Sequence, residues 1–444
     1  MDAESLRQVA DFFAAHGVKV VKVIWCDLHG LARGKVISTK KFFDELHQGI
    51  TFSIAPLYMN LLGEVVDLHG DASRTGWTSC FASPDMSTLR LCALDPDTAE
   101  VICHLKDRAR VVIPHLPRVV LARMLAFCAE MGFRACIGSE LEFYLLDGEA
   151  DTTLPPGKNC YRLIHGRQEQ SFLSAVQAKL SATGINYEAS MSEDGPGQFE
   201  IVLYQTPAMK HADDVFRTRS LVKSIAAGQG LTATFLSKPV TGESGSGYHI
   251  HQTLSAEADG RSIFDASQFG EEAHRRIRNY VGGQLAHLPD VCALLLPTVN
   301  AYKRILTRGA RPLSLTWGED NRTVALRVIG RNTENARVEN RVIAGEANPY
   351  IAIAASLAAG LQGIRDDLTP PAPTEGNAFE NSIEGAALPA DLGEALERLG
   401  KSDFAEHWLG RELVTHFVAL KMDEWERYRR AITDWEKREY LAFL

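Results

Sequence analysis

Four segments of this sequence alternate apolar and polar residues with a period of two, which places each set on one face of a β-strand. In residues 136–146, Glu140 and Glu142 share one face, and the other face is apolar. The polar faces of residues 197–204, 247–254 and 336–342 hold Gln198 and Glu200, then His249, His251 and Thr253, then Arg337, Glu339 and Arg341. Burying such groups without partners is costly, so these strands are predicted to line a site.

The alternative is that each strand is half solvated, with its charged residues turned to water. This explanation suits any one strand taken alone. It is weaker for all four together, because their polar faces hold Glu, His and Arg but no Lys, and solvated faces commonly contain Lys.

The residue types on these faces indicate a chemistry. Several glutamates with one histidine favour hard, oxygen-seeking cations such as Mg²⁺ or Mn²⁺, since zinc and iron sites use more His and Cys. Arginines on neighbouring strands suit phosphate and carboxylate groups, which a guanidinium grips with paired hydrogen bonds. Two cations and several arginines around a polyanion are typical of phosphoryl transfer.

The bulk properties exclude several other classes of protein. The 444 residues have a net charge of −9, which argues against a nucleic-acid partner because such proteins usually need a basic face. The amino-terminal stretch predicts an amphipathic helix rather than a secretion signal, and no apolar run reaches membrane-spanning length. Eight cysteines are scattered without CxxC spacing, which favours reduced thiols and a cytoplasmic location.

The chain is predicted to form two domains, 1–109 and 110–444. A strand pair over 18–38 and strand-like stretches at 63–69 and 99–105 indicate a small mixed α+β domain. After Arg110, two prolines precede a helical pattern that ends at Gly132. Later strands alternate with helices predicted at 171–183 and 212–228, and the last segment is helical.

Seven blocks of the sequence resemble, in order, those of the glutamine synthetase superfamily. The blocks are GSELEFYL, GPGQFEI, GSGYHIHQTL, NAYKRI, NRTVALRV, VENRVIAGEANPY and TDWEKREYLAFL. The branch they resemble joins glutamate to amines and includes γ-glutamylpolyamine synthetases. Seven blocks in the right order, spread over essentially the whole chain, form a specific signal.

The resemblance implies an α+β fold with an N-terminal β-grasp domain and a catalytic domain whose curved antiparallel sheet is flanked by helices. It also implies ATP, glutamate and an amine as small-molecule substrates, and two or more Mg²⁺ or Mn²⁺ ions. The subunits are expected to form a hexameric ring or a stacked double ring. Each active site then lies between adjacent subunits, with no nucleic-acid or membrane partner.

The resemblance further assigns roles to residues at matching positions. One ion is expected on Glu142, Glu193 and Glu200, and the second on Glu140, His249 and Glu339. The amino-acid substrate is assigned to Arg304, Arg341, Gly245, Glu142 and His249, and ATP or the transferred phosphoryl group to Arg322, Arg327, Arg337, His251 and Thr253. Arg322, Arg304 and Glu193 are the expected catalytic residues, with Glu193 or another acidic group deprotonating the amine.

Three departures from the family pattern bear on the substrates. Ammonia-using members carry a flap glutamate where this chain has Ala310, and an Asp-Gly-Ser-Ser loop where this chain reads GITFSIAPLYMNLL. The second stretch predicts an apolar wall of Phe52, Tyr58, Met59, Leu61 and Leu62, although for each of these residues taken alone core packing is the better explanation. Ser244 replaces an asparagine that is common beside the amino-acid substrate.

These departures predict an amine other than ammonia. A hydrophobic or aromatic monoamine and a polyamine remain equally open, since a polyamine needs a carboxylate for its distal cation and Glu64, Asp67 and Glu319 are the nearby candidates. The alternatives are an ammonia-dependent glutamine synthetase and, with less support, a non-catalytic structural or regulatory homologue.

Overall fold

The structure is a computed structural model that describes residues 3–66, 76–148, 153, 157–163, 166–306, 315–380 and 387–444. The helices and strands alternate over these ranges, and the predicted α+β class is confirmed. None of the helices within them combines the length and apolar character needed to cross a membrane. The eight cysteine thiols are free, and five of them are buried.

The first part of the chain forms a mixed sheet that packs on helix α1 (Ala3–His16) and helix α2 (Thr39–Glu45). Its strands are β1 (Val20–Cys26), β2 (Ala32–Ser38), β3 (Ile50–Ser53), β4 (Ser79–Pro84), β5 (Arg90–Leu91) and β6 (Thr98–Lys106). The strand order is β2-β1-β6-β4-β3, with β5 also pairing with β6, and the β1–β6 pair is parallel. Gly30 makes the turn between β1 and β2 with a φ of 79°, which favours glycine.

The three early strand predictions had different outcomes. The strand pair over 18–38 is confirmed as β1 and β2, and 99–105 lies within β6. The predicted strand at 63–69 is wrong where it is described, since Val65 makes only an isolated bridge with Met59. The β-grasp assignment and the boundary at 110 stay predictions, although a separate hydrophobic core extends from Val9 to Leu116.

The second part of the chain is built around an eight-stranded sheet. Its strands are β7 (Phe133–Asp147), β8 (Tyr187–Ser192), β9 (Gln198–Pro207), β10 (Leu231–Thr234), β11 (Tyr248–Ala256), β12 (Trp317–Glu319), β13 (Leu326–Ile329) and β14 (Arg337–Asn340). The order is β12-β13-β14-β11-β7-β9-β8, with β10 also pairing with β7. The sheet is antiparallel as predicted, except that β12 and β13 run parallel.

Eleven helices are described in this part of the chain, and several of them contact strands of the sheet. They are α3 (Pro117–Glu130), α4 (Arg167–Ala182), α5 (Ala208–Gly228), α6 (Ala266–Phe269), α7 (Glu271–Leu295), α8 (Val299–Ile305), α9 (Pro349–Arg365), α10 (Leu392–Gly400), α11 (Asp403–Leu409), α12 (Arg411–Arg430) and α13 (Asp434–Tyr440). Helices α4 and α5 begin four residues earlier than predicted. Asn348 caps α9, accepting hydrogen bonds from the backbone N–H groups of Tyr350 and Ile351.

The four polar-faced segments become β7, β9, β11 and β14, and these strands are consecutive neighbours in the sheet. On β7, Leu141, Phe143 and Leu145 are buried in the main core. Because side chains alternate along a strand, the glutamates of β7 lie on the opposite face. The strand order therefore gathers the ionisable residues of four strands on one surface.

Candidate active site

The ionisable residues on the polar face of the sheet form a cluster, which consists of two overlapping groups. The first group contains the side chains of Glu140, His249 and Glu339. Glu140 lies opposite His249 across β7 and β11, and Glu339 lies opposite His251 across β14 and β11. Glu140 is 2.9 Å from His249 Nδ1 and 3.0 Å from His251 Nε2. Ligand atoms of Glu140, His249 and Glu339 all lie within 4.8 Å of one another, so this trio can hold a divalent cation.

The second group contains two carboxylates that face each other directly. Glu142 of β7 lies opposite Glu200 of β9, and like charges in this arrangement destabilise a sheet. Ligand atoms of Glu142, Glu200 and His249 also lie within 4.8 Å of one another. His249 therefore reaches both groups, although the sequence assigned it to one ion. Glu193 follows β8 and lines the adjoining cavity beside Glu142, but does not belong to this close trio.

The carboxylates of the cluster repel one another, so a bound cation would stabilise their charged forms. Burial, with the charges of Glu140 and Glu142, raises the pKa of Glu200 to about 10. Burial and the charge of Glu142 raise the pKa of Glu193 to about 7. Burial also acts to raise the pKa of Glu140, but hydrogen bonds with His249 and His251 outweigh it and hold that pKa well below its ordinary value. Because carboxylate oxygens and one imidazole are the available donors, the cluster fits a hard cation such as Mg²⁺ or Mn²⁺.

Glu339 is enclosed by arginines at the end of this cluster. The side chain of Glu339 is fully buried, and it accepts hydrogen bonds from Arg341 Nη1 and, at 3.1 Å, from Arg327 Nη1. Arg327 also donates to Asp320, whose backbone has a φ of 48°. Burial acts to raise the pKa of Glu339, and the charges of Arg341, His249 and His251 together more than offset it. Arg327 and Arg341 are thus already neutralised in part by carboxylates.

A cavity of about 440 Å³ opens beside the cluster. Seven residues assigned from the sequence line it, namely Glu142, Glu193, Gly245, His249, Arg304, Arg322 and Arg341. Helix α8 carries Arg304 into the cavity, where its guanidinium donates to the backbone oxygens of Val342 and Arg341 at 3.1 and 3.2 Å. Burial lowers the pKa of Arg304.

Two glycines allow the backbone to approach Arg304. A Cβ atom at Gly245 would lie 2.7 Å from Arg304 Cγ, and one at Gly247 would lie 2.5 Å from His249 Nε2. Glu142 accepts a hydrogen bond of 2.7 Å from the Gly247 N–H. The glycines therefore let this loop pack against both the carboxylate cluster and the arginine, and a side chain at either position would displace one of them.

The remaining residues that were predicted to contact phosphate lie on different strands and in the loop between β12 and β13. Arg322 is exposed and lines both the main cavity and a neighbouring cleft. Arg337 Nε lies 3.4 Å from His251 Nδ1. Thr253 lies opposite Cys136, two residues beyond His251 on β11, and is not among the described residues that line the cavity.

The sequence missed several residues that line the cavity. These are Lys158, Asp194, Gln198, Lys238, Gly242, Glu243, Ser244, Ile305, Thr323, Val324 and Phe379. Gln198 was placed on the polar face of its strand, and Ser244 was recognised as a departure, but neither received a role. Asp194 and Glu243 adjoin recognised motifs, so proximity in sequence could have found them. Lys158 and Phe379 come from irregular segments without a pattern.

The residues of the predicted apolar wall differ in how exposed they are. Phe52 is buried in the N-terminal core, so its predicted place in the wall is wrong. Tyr58 packs against Trp77 and His416. In contrast, Leu61 and Leu62 are 47% and 71% exposed.

The carboxylates considered for a polyamine are mostly engaged within the chain. Glu319 is ion-paired with Arg331, and Glu64 accepts a hydrogen bond of 3.2 Å from Asn60 Nδ2. The remaining candidate, Asp67, lies outside the described residues, as does Ala310 of the flap.

The chain is similar to known proteins over most of its length. The catalytic-domain model of glutamine synthetase matches residues 115–440. The chain is 32% identical to a glutamate–isopropylamine ligase of Pseudomonas sp, over 99% of both chains, and 31% identical to γ-glutamylputrescine synthetase PuuA of Escherichia coli, over 94% of this chain and 90% of the relative. Proteins named glutamine synthetase also match, at 28% and 31% identity.

A solved structure gives the same result for the fold. Ligand-free GmaS superposes with a TM-score of 0.86 at 27% identity, covering 98% of this chain and 99% of that one. The fold class expected from the sequence is therefore confirmed at the level of the whole chain.

Proposed function

Since the chain belongs to the glutamine synthetase family and is an ATP-dependent carbon–nitrogen ligase, we propose that it joins the γ-carboxylate of glutamate to an apolar amine other than ammonia. The observation that carries the proposal is the convergence of two trios of potential metal ligands and several arginines beside one cavity. The exposed leucines of the N-terminal domain support the choice of amine.

Two divalent ions and ATP complete the proposed site. Glu140, His249 and Glu339 hold one ion, and Glu142 and Glu200, joined by Glu193, hold the other. Bound there, Mg²⁺ would neutralise phosphate charge and orient the reacting groups. Arg322, Arg327 and Arg337 bind ATP phosphates, with His251 and Thr253 nearby. Arg304 and Arg341 bind the carboxylates of glutamate.

The proposed reaction has two steps. An oxygen of the glutamate γ-carboxylate attacks the terminal phosphorus of ATP, the bond to the bridging oxygen breaks, and ADP leaves. Arg322 stabilises the charge spread over the transferred group. The amine nitrogen of the acceptor then attacks the carbonyl carbon of the γ-glutamyl phosphate, inorganic phosphate leaves, and a carboxylate such as Glu193 accepts the proton.

The amine is proposed to meet an apolar surface supplied by a neighbouring subunit. Leu61, Leu62 and Val65 are exposed although they are large and apolar, and such groups mark contact surfaces when they cluster. In the proposed ring they border the active site of the adjacent subunit. Glu64 and Glu319 are engaged within the chain, so a distal cation of a polyamine finds less support than an apolar chain.

The second candidate is an ammonia-dependent glutamine synthetase, which the similarity to proteins of that name favours. The sequence argues against this second candidate, because Ala310 and the GITFSIAPLYMNLL stretch supply no carboxylate to bind ammonium. A cation without such a partner is poorly held in a partly desolvated site.

The test is ATP-dependent phosphate release with glutamate and a panel of amines. The panel contains ammonium, isopropylamine, ethanolamine, putrescine and benzylamine at equal concentrations with MgCl₂. The proposal expects the highest kcat/KM with an apolar monoamine. Ammonium as the best acceptor would establish the second candidate, and no release with any amine would contradict both.

A further inference from the structure

The exposed segment 61–65 is held at its base by one buried side chain. Asn60 Oδ1 accepts hydrogen bonds from the backbone N–H groups of Leu62 and Glu64, at 3.0 and 3.1 Å. An asparagine that bonds the backbone two residues further along the chain fixes a tight turn. Because Asn60 is buried, the shape of the segment depends on a side chain that solvent barely reaches.

Helix α12 fixes the direction in which this turn points. Asn60 Nδ2 donates a hydrogen bond of 3.2 Å to Asp423 Oδ2, which also accepts one of 2.9 Å from Arg427 Nε. His416 precedes Asp423 by two helical turns on the same face of α12. His416 Nε2 donates to the backbone oxygen of Leu57 at 2.8 Å. Two side chains of one helix therefore hold the chain just before the segment.

The surroundings of these contacts make the base of the segment rigid. His29, in the turn between β1 and β2, donates from Nε2 to the backbone oxygen of Met59 at 3.0 Å. The ring of His416 stacks on His115 with centroids 4.3 Å apart and packs against Tyr58 at 4.9 Å. Burial lowers the pKa of His29 and of His416, so both donors are neutral imidazoles that need no counter-charge.

The alternative is that these contacts serve stability alone. The arrangement of the segment argues against it, because the anchored residues 57 and 60 are buried while Leu61, Leu62 and Val65 are exposed. Clustered apolar side chains that stay exposed mark a contact surface. A rigid base that carries exposed contact residues is the usual arrangement of a binding loop on its scaffold.

We propose that Asp423 and His416 are positioning residues for amine choice, which hold the leucines of segment 61–65 in place against the acceptor amine of the adjacent subunit. This role rests on the proposed function, and it goes further by assigning part of the amine specificity to a helix that does not touch the substrate. No residue of α12 lines the described part of the cavity. Amine preference should therefore change without any substitution in the cavity.

The experiment compares two substitutions of Asp423 in the full chain, with the amine panel described above. Asp423→Ala removes the acceptor of the Asn60 amide. KM for the best amine should rise about fivefold, the change that corresponds to the loss of one hydrogen bond, while kcat and the KM values for ATP and glutamate stay the same. Asp423→Asn keeps a carbonyl oxygen for Asn60 but loses the charge that pairs with Arg427. It should retain the wild-type KM.

Two further variants complete the set. His416→Phe keeps an aromatic ring against His115 but removes the donor to Leu57, so it should raise the same KM in the same direction. Glu426→Gln is the matched control, because it removes a carboxylate of the same helix that pairs with Arg429 within α12. It should leave every kinetic constant unchanged.

Hydrogen exchange gives a readout that does not depend on activity. The backbone N–H groups of Leu62 and Glu64 should exchange faster in Asp423→Ala than in the wild type, and at the wild-type rate in Asp423→Asn. Light scattering compares the assembly of each variant with that of the wild type. Loss of assembly in Asp423→Ala would assign this residue to a subunit contact and overturn the proposal.

Three kinetic results would also overturn it. These are an unchanged KM for the amine in Asp423→Ala, an equal fall in kcat with every amine, and equal effects of Asp423→Ala and Asp423→Asn. The failure of this inference is distinguishable from failure of the proposed function. Absence of phosphate release with any amine would overturn both, whereas turnover of an amine with a wild-type KM in Asp423→Ala would overturn the inference alone.

Discussion

The polar face of the eight-stranded sheet and the exposed segment 61–65 in the first part of the chain are built in opposite ways. On the sheet, Glu339 is fully buried and bonded to two arginines, and Glu140 is bonded to two histidines. In the segment, Leu61 and Leu62 extend into solvent, while Asn60 anchors the base through hydrogen bonds to Leu62 and Glu64.

The difference separates two functions of the enzyme. The chemistry depends on charges whose spacing is set by strand register, so any change there alters several partners at once. The choice of amine is proposed to depend on side chains that contact little within their own chain. Substitutions of the buried charges on the sheet should therefore affect stability and turnover together, and substitutions in the segment should affect amine preference alone.

The largest effect is expected for Glu339→Ala. It removes a proposed metal ligand and leaves Arg327 and Arg341 without their shared carboxylate, and breaking such a buried arrangement typically costs about 3–5 kcal/mol. Activity should be lost and the free energy of unfolding, measured with urea, should fall by that order. Unchanged stability would contradict the tight coupling attributed to the sheet.

Arg322→Ala should separate turnover from stability, because Arg322 lines the cavity but is exposed. Turnover should fall by about a thousandfold, as for other arginines that stabilise phosphoryl transfer, while the free energy of unfolding changes by less than about 0.5 kcal/mol. Arg438→Ala, on the terminal helix α13, is the control. Retained turnover in Arg322→Ala would exclude the proposed role.

Metal binding should stabilise the chain more at high pH than at low pH, because protons compete with the metal ion for Glu193 and Glu200. Folding raises the pKa of Glu193 to about 7 and of Glu200 to about 10, so the folded metal-free chain holds more protons than the unfolded chain above pH 4.5. The contribution of these two groups to the stability of the metal-free chain therefore falls as the pH rises from 4.5 to about 10. Added MgCl₂ replaces those protons and should raise Tm more at pH 8.5 than at pH 6.5. An equal rise at both values would contradict this account.

Leu62→Asp tests the segment side. Because Leu62 is 71% exposed, the monomer should keep its stability, while KM for an apolar amine rises about tenfold, the order expected when one apolar side-chain contact is lost. KM values for ATP and glutamate should stay the same. Mixing this variant with Arg322→Ala subunits tests whether the segment acts on a neighbouring subunit. A site that takes Arg322 from one variant and Leu62 from the other should recover the wild-type KM for the amine, which requires sites built from two chains.

The smallest effect is expected for Ala310→Glu. The added carboxylate supplies the charge that ammonia-using relatives have at this position, so the ratio of kcat/KM for ammonium to that for isopropylamine should rise a few-fold. The ratio is measured by phosphate release. No change in the ratio would remove Ala310 from the account of amine choice.

The sequence predicted much of the sheet and less of its surroundings. Period-two alternation identified the strands of Glu140, Glu200, His249 and Glu339, because strand sterics are local. Their consecutive order, and the pairing of Arg327 with Asp320, depend on tertiary packing that no local pattern encodes. Phe52 was misassigned for the same reason, since an apolar residue in a strand has the same sequence signature in a core and in a pocket wall.

The proposed reaction depends most on two divalent ions bound at the positions assigned to them. A crystal soaked with MnCl₂ and a non-hydrolysable ATP analogue, measured at the manganese absorption edge, tests this directly. The predicted result is two anomalous peaks, one beside Glu140, His249 and Glu339 and one beside Glu142, Glu193 and Glu200. Manganese bound elsewhere, or absent from these carboxylates while the nucleotide is bound, would contradict the account.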